Sequence, residues 1–190
     1  MDILRERIFT EGKVVDGNVL QVGSFLNHFV DTFLLHEIGK KFSSIFSEYS
    51  PTKIITIEAS GISVAAFTAL ELQIPYIIAK KNSSSNLTGD LYSADVFSFT
   101  KQKMFTIHVS KEYIKKYDKI LIIDDFLGSG NAVEGLMSII NKANATLIGV
   151  GICIEKSFLH GASNLIAKGI NLHSLVKIKS VEDGSITLMS

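Results

Sequence analysis

The run Ile120-Leu121-Ile122-Ile123, followed at once by Asp124-Asp125, constrains this chain more than any other segment. Four consecutive apolar residues, three of them β-branched, read as a strand buried on both faces, the kind found in parallel sheets covered by helices. The strand delivers two carboxylates to the sheet edge, where hydroxyls or a hard cation can reach them. A short turn follows, Gly128-Ser129-Gly130-Asn131-Ala132, and Val133 to Ile140 then reads as a helix. The turn and the helix start offer free backbone N–H groups to an anion. A molecule carrying vicinal hydroxyls beside a phosphate, such as a phosphoribose, suits that arrangement.

The rest of the chain repeats the same alternation. Residues 2–9 have helical character, 14–15 and 19–22 read as short strands around a turn at 16–18, and Ser24 to Val30 is irregular. Asp31 is placed as an N-cap, because Phe33, Leu34, Ile38, Phe42, Ile45 and Phe46 follow at helical spacing up to Pro51. Further strands are predicted at 53–57, 75–79, 95–99, 104–109, 146–154, 172–179 and 185–189, with helices over 62–72 and near 163–168. Residues 82–90 are polar and read as a loop, and Glu182-Asp183-Gly184 as a hairpin turn. The expected architecture is a single α/β domain, its central, mainly parallel sheet flanked by helices. Ligands in such folds bind beyond the carboxyl ends of the strands. Four strand ends carry polar residues here: Glu58-Ala59-Ser60-Gly61, Lys80-Lys81, Asp124-Asp125 and Glu155-Lys156. Together they read as one composite site.

Composition excludes several classes. Basic and acidic residues number 19 each, so a general nucleic-acid-binding surface is not indicated and phosphate recognition must be local. A single cysteine excludes an internal disulfide framework. Charges are spread through the first seven residues, which lack an apolar signal core, and no apolar stretch approaches the roughly 18 residues that span a bilayer, so no membrane association and a cytoplasmic location are expected. The five histidines show no metal-ligand spacing. The turn at 128–132 lacks the Gly-Lys-Ser/Thr ending of a Walker loop, and its glycines are misspaced for a dinucleotide fingerprint.

Ile122-Ile123-Asp124-Asp125 with Gly128-Ser129-Gly130-Asn131-Ala132 resembles the phosphoribosyl pyrophosphate signature of type I phosphoribosyltransferases. The segments Val22–His28, Thr56–Ile62, Phe97–Lys101 and Ile154–Phe158 extend the resemblance along the chain, toward the bacterial xanthine-using branch of that family. One departure is that Asn131 and Ala132 stand where the wider family carries hydroxyls, leaving Ser129 and backbone N–H groups to hold phosphate.

The resemblance implies the type I phosphoribosyltransferase fold, with a hood from about 1–30 and 155–190 and a lid loop at about 82–100. It implies conversion of xanthine and 5-phosphoribosyl 1-pyrophosphate to xanthosine 5′-monophosphate and pyrophosphate. Asp124 and Asp125 would bind the ribose hydroxyls and oppose charge developing at C1; residues 128–132 would hold the 5′-phosphate. Ala59, Ser60, Gly61, Lys80 and Lys81 would receive pyrophosphate, with Mg²⁺ held mainly by substrate and no dedicated protein metal site. Lys156 would donate to the purine 6-oxo group, Phe158 would stack, Leu20 would give apolar contact, and the Asn27 amide would read the 2-oxo group. A homodimer is implied as well. Two rivals stand beside this reading: an enzyme preferring guanine or hypoxanthine, and a non-catalytic sensor of phosphoribosyl pyrophosphate.

Overall fold

The computed structural model describes residues 1–15, 19–81, 89–98, 102–182 and 184–189. Its centre is a six-stranded sheet built from β3 (Lys53–Ile57), β4 (Tyr76–Ala79), β7 (Lys119–Leu127), β8 (Thr146–Lys156), β9 (Leu172–Glu182) and β10 (Ser185–Leu188). The spatial order is β10-β9-β8-β7-β3-β4, parallel throughout except for β10 on β9. Two antiparallel ribbons stand outside it. One pairs β1 (Lys13–Val15) with β2 (Val19–Gln21), and the other β5 (Leu91–Ser98) with β6 (Lys103–Ser110).

Helices cover both faces. On one face lie α2 (Thr32–Phe46) and α3 (Gly61–Leu72), in a cluster with Leu121, Ile123 and Cys153. Asp31 caps α2 by accepting the N–H groups of Phe33 at 3.0 Å and Leu34 at 3.1 Å. The helix then buries Leu34, Leu35, Ile38, Phe42 and Phe46. Gly39 lets α2 close on α3, since a side chain there would meet the Phe67 carbonyl oxygen at 2.7 Å. On the other face α4 (Asn131–Lys142) buries Val133, Leu136, Ile139 and Ile140 against Ile120, Ile122 and Ile152. Among the described residues no helix is long and apolar enough to cross a membrane.

The structure refines several sequence expectations. The segment read as irregular at 24–30 contains a π-helical turn, Gly23–Asn27. The short helix is α5 (Gly161–Ala167), and β8 runs on to Lys156. The terminal segments expected to form a hood pack together: Leu4 and Ile8 of α1 (Asp2–Glu11) join Val176, Ile178 and Val181 in one cluster. β9 and β10 are also the outer strands of the central sheet.

Of the stretch 82–100 read as a lid, residues 82–88 and 99–100 lie outside the described residues. Leu91–Ser98 is a strand paired along its whole length with β6 rather than loop. Its stability comes from packing: Ala94 and Val96 are buried in the α4-side cluster. Local propensity did not register that contribution.

Candidate active site

The parallel sheet sends the ends of β3, β4, β7 and β8 to one side, and the acid pair sits where β7 emerges. Asp124 and Asp125 are both buried. The Asp124 carboxylate accepts the backbone N–H of Asp125 at 3.1 Å. Burial pushes the Asp124 carboxyl well above the ordinary carboxylate range, and the neighbouring Asp125 charge adds to the rise. Asp125 is raised by burial as well, against the opposing hydrogen bond from Asn27. The nearby Lys81 charge and the hydrogen bonds to the pair offset its burial only in part, so vicinal hydroxyls or a cation carried by a ligand would favour the ionised form.

The turn at 128–132, the phosphate candidate, is shaped by close backbone contact. Gly130, the N-cap of α4, has φ of 91°, a conformation that glycine adopts without a Cβ clash. A Cβ on Gly161, at the start of α5, would meet the Gly128 carbonyl oxygen at 2.1 Å. The turn therefore rests directly on α5. Asn131 turns its amide outward to the Phe97 carbonyl at 3.1 Å, tying the start of α4 to β5. The Asn131 side chain thus holds a neighbouring wall, leaving its backbone N–H as the part of it that could face an anion.

The segment after β3 brings the pyrophosphate candidates beside the acids. Gly61 lies against Asp124: a Cβ there would stand 2.4 Å from Asp124 Oδ1 and 2.2 Å from Thr56 Oγ1. Thr56 is fully buried, and its hydroxyl has no hydrogen-bond partner. The two lysines diverge. Lys80 Nζ pairs with Glu58 Oε2 at 3.3 Å, and its backbone bridges to His108. The Lys81 N–H donates to Glu58 Oε1 at 2.5 Å, and its ammonium lies over the Phe105 ring at 5.3 Å. Glu58 was named from the sequence only as part of a polar strand end and given no role; in the structure it secures both lysines. Hydrogen bonding and the two lysine charges hold its carboxyl below the usual range despite partial burial.

The purine candidates come from β8 and the N-terminal region. Lys156 Nζ lies 5.2 Å above the Phe126 ring, and burial lowers its pKa while the Asp125 charge opposes that shift. Asn27 Nδ2 donates to Asp125 Oδ2 at 3.2 Å. Leu20 is buried in the cluster holding Phe25 and Leu26. Phe158 is exposed, and Leu159 rather than Phe158 lines the adjoining recess.

Two neighbouring recesses collect these groups. One of about 270 Å³ is lined by Lys81, Phe105, Phe126, Lys156 and the 127–133 turn, among others. A smaller one of about 110 Å³ is lined by Glu58, Ala59, Ser60, Lys81, Asp124, Asp125 and Ala132, among others. Lys81, Phe105 and Ala132 belong to both. Lys80, Leu20, Asn27, Gly61 and Phe158 line neither. The ribbon residues Val96 and Phe97, which the sequence placed only in a lid stretch, form a wall with Phe105, which it did not assign to the site. Their signal was tertiary: only the pairing of β5 with β6 and the contact with α4 bring them there.

A parallel α/β sheet with an acid pair beside a glycine turn at its carboxyl edge agrees with what known proteins show. The phosphoribosyl transferase domain family matches residues 32–168. The xanthine phosphoribosyltransferase of Bacillus cytotoxicus is 48% identical over 189 residues, covering 100% of this chain and 96% of that protein. The one of Acinetobacter baumannii is 49% identical over 189 residues, covering 100% and 99%. The chain belongs to the phosphoribosyltransferases, in the xanthine phosphoribosyltransferase family. Among solved structures, adenine phosphoribosyltransferase from Thermoanaerobacter pseudethanolicus superposes with a TM-score of 0.77 at 16% identity, over 92% of this chain and 99% of that one. The Giardia lamblia enzyme, complexed with 9-deazaadenine, gives 0.78 at 18% identity over 92% and 97%. At those identities the likeness is one of fold.

Proposed function

We propose that this protein transfers the phosphoribosyl group of 5-phosphoribosyl 1-pyrophosphate to xanthine, giving xanthosine 5′-monophosphate and pyrophosphate in purine salvage. The observation that carries the proposal is the buried Asp124-Asp125 pair, which shares one recess with the 58–60 segment and adjoins the recess of the phosphate turn and Lys156. As pyrophosphate leaves, C1 gains oxocarbenium character, as in glycosyl transfer generally. The two carboxylates accept the ribose 2′- and 3′-hydroxyls and set negative charge near that centre. The amides of 128–132 at the start of α4 hold the 5′-phosphate. Ala59, Ser60 and Lys81 face the pyrophosphate, and Gly61 keeps α3 against Asp124. Lys80 steadies Glu58 from the outside. The Lys156 ammonium donates to the purine 6-oxo group, and one amide hydrogen of Asn27 donates to the 2-oxo group. Phe158 and Leu20 flank the base.

Mg²⁺ is part of the proposal, neutralising pyrophosphate charge when bound. The residues fit a cation that arrives on its substrate: the buried acid pair presents two carboxylates, the Lys81 charge offsetting the rise at Asp124 only in part, and Mg²⁺ prefers phosphate oxygens and waters with few protein ligands. A homodimer in the cytoplasm completes the reading, and light scattering tests the assembly. The decisive experiment is turnover of xanthine, guanine and hypoxanthine with 5-phosphoribosyl 1-pyrophosphate, with and without Mg²⁺. Xanthine-dependent pyrophosphate release requiring Mg²⁺ is the expected result. Preference for guanine or hypoxanthine, or no release at all, would overturn it.

A further inference from the structure

One hydrogen bond joins the purine side of the site to the ribose side. Asn27 lies 98 residues before Asp125 in the chain, yet its Nδ2 donates to Asp125 Oδ2 at 3.2 Å. The contact is built rather than incidental. Asn27 closes the π-helical turn Gly23–Asn27, and single π-turns recur at functional sites. Phe25 and Leu26, immediately before it, are fully buried in the core. The turn is closed on its far side by the Phe29 N–H on the Gly23 carbonyl at 2.7 Å, and by the Asp31 N–H on the Phe25 carbonyl at 3.1 Å. Asn27 therefore meets Asp125 from a backbone that packing has already fixed.

The chemistry of the amide matters here. An asparagine NH₂ has two hydrogens. One is committed to Asp125, and the other remains for a ligand oxygen. The Asn27 amide is a side-chain donor on a carboxylate that also has the Phe126 N–H, Asp124, the Cys153 thiol and the Lys156 ammonium about it. We infer that Asn27 is a positioning residue for Asp125, orienting that carboxylate for the ribose hydroxyls before any purine binds. A purine-pocket residue thereby sets affinity for the phosphoribosyl donor. The inference rests on the phosphoribosyltransferase reading above, and it predicts something that reading does not: a defect visible with the purine absent.

The test is calorimetric binding of 5-phosphoribosyl 1-pyrophosphate with Mg²⁺ and no purine, for wild type, Asn27→Leu and Asn27→Gln. Leucine keeps the shape without the donor, and glutamine keeps the amide on a longer arm. Asn27→Asp is avoided because it adds a third carboxylate to a buried acid pair. Loss of one charge-assisted hydrogen bond should raise Kd about tenfold in Asn27→Leu, with partial recovery in Asn27→Gln. Thermal melting confirms the fold of each variant; Asn27 is exposed, so little stability is at risk. An unchanged donor Kd, with the defect confined to KM for xanthine, overturns the inference alone. Wild type that binds no donor overturns the functional reading and this inference with it.

Discussion

At the scale of single residues, the acid pair illustrates how a site stores an unfavourable charge for later use. Asp124 and Asp125 hold protons in the fold at pH values where an unfolded chain has lost them. Between the ordinary carboxylate pKa and the raised folded values, the native state binds more protons, so stability falls as pH rises through that window. Above it the ionised pair is a standing cost. Asp124→Asn removes that cost and keeps an oxygen for the Asp125 N–H. Its melting temperature should exceed wild type at pH 8, the two should converge below about pH 4, and turnover should drop about a hundredfold. Thermal scans across pH and a steady-state assay check both halves; a variant no more stable than wild type at pH 8 would refute the first. Gly61→Ala is the steric counterpart. Its methyl would enter the space of Asp124 Oδ1 and Thr56 Oγ1, so a loss of about 1–3 kcal/mol in urea unfolding is expected, with weakened donor binding. The places of the acids, the 128–132 turn and Lys156 at or after strand ends were legible in the sequence, whereas the roles proposed for them came from the family resemblance. Glu58 as the holder of two lysines was not legible, since a carboxylate after a strand looks the same whether it faces water or a lysine.

The elements divide in the same way. α2 was legible from its cap and its apolar spacing: the cap and Leu34, Ile38, Phe42 and Phe46 stand as expected, while Phe33 is exposed and Leu35 is buried in its stead. Asp31 does more than cap: its carboxylate also pairs with Arg7 of α1 at 2.7 Å, joining the terminal segment to the body. The Leu34 N–H and the Arg7 guanidinium hold its carboxyl below the usual range. A depressed folded pKa means that this contribution is present above the unfolded value and disappears as pH falls through the folded one. Asp31→Ala should cost about 1–2 kcal/mol at neutral pH, and the gap to wild type should close in acid. Urea midpoints at neutral and acid pH measure it; a gap independent of pH would show that neither the cap nor the pair contributes as charge. The π-turn before α2 was not legible, because it has no periodicity of its own and is held by buried Phe25 and Leu26. Nor was the start of β5, where Tyr92-Ser93-Ala94-Asp95 carries little strand propensity and its partner strand supplies the order.

On the scale of the whole molecule, the catalytic edge is assembled from a rigid sheet and a ribbon fastened to it at a few points. The β5–β6 ribbon meets the sheet through the Lys80–His108 bridge, with N–H to oxygen distances of 3.0 and 2.9 Å. It meets α4 through the Asn131 amide on the Phe97 carbonyl, the Lys142 ammonium on the Ser93 carbonyl at 2.5 Å, and the seating of Val96 and Ile107 over Gly135. Its inner residues Val96, Phe97 and Phe105 wall the larger recess. Gly135 is therefore the point where α4 packing and site geometry are coupled. A Cβ there would stand 2.5 Å from Val96 Cγ2 and 3.3 Å from Ile107 Cδ1, too close for the ribbon to keep its seat. Alanine itself favours helix over glycine by about 1 kcal/mol, so α4 gains while the ribbon loses. The two effects separate experimentally. Gly135→Ala should leave global stability within about 1–2 kcal/mol of wild type, because crowding offsets the helix gain. Amide exchange should accelerate in Leu91–Ser98 and Lys103–Ser110 while β7 and β8 stay protected. If the ribbon wall matters to the reaction, kcat/KM for 5-phosphoribosyl 1-pyrophosphate should fall several-fold with the acid pair untouched. Unchanged exchange in the ribbon would mean that Val96 yields at its side chain, and that α4 does not set the position of this wall.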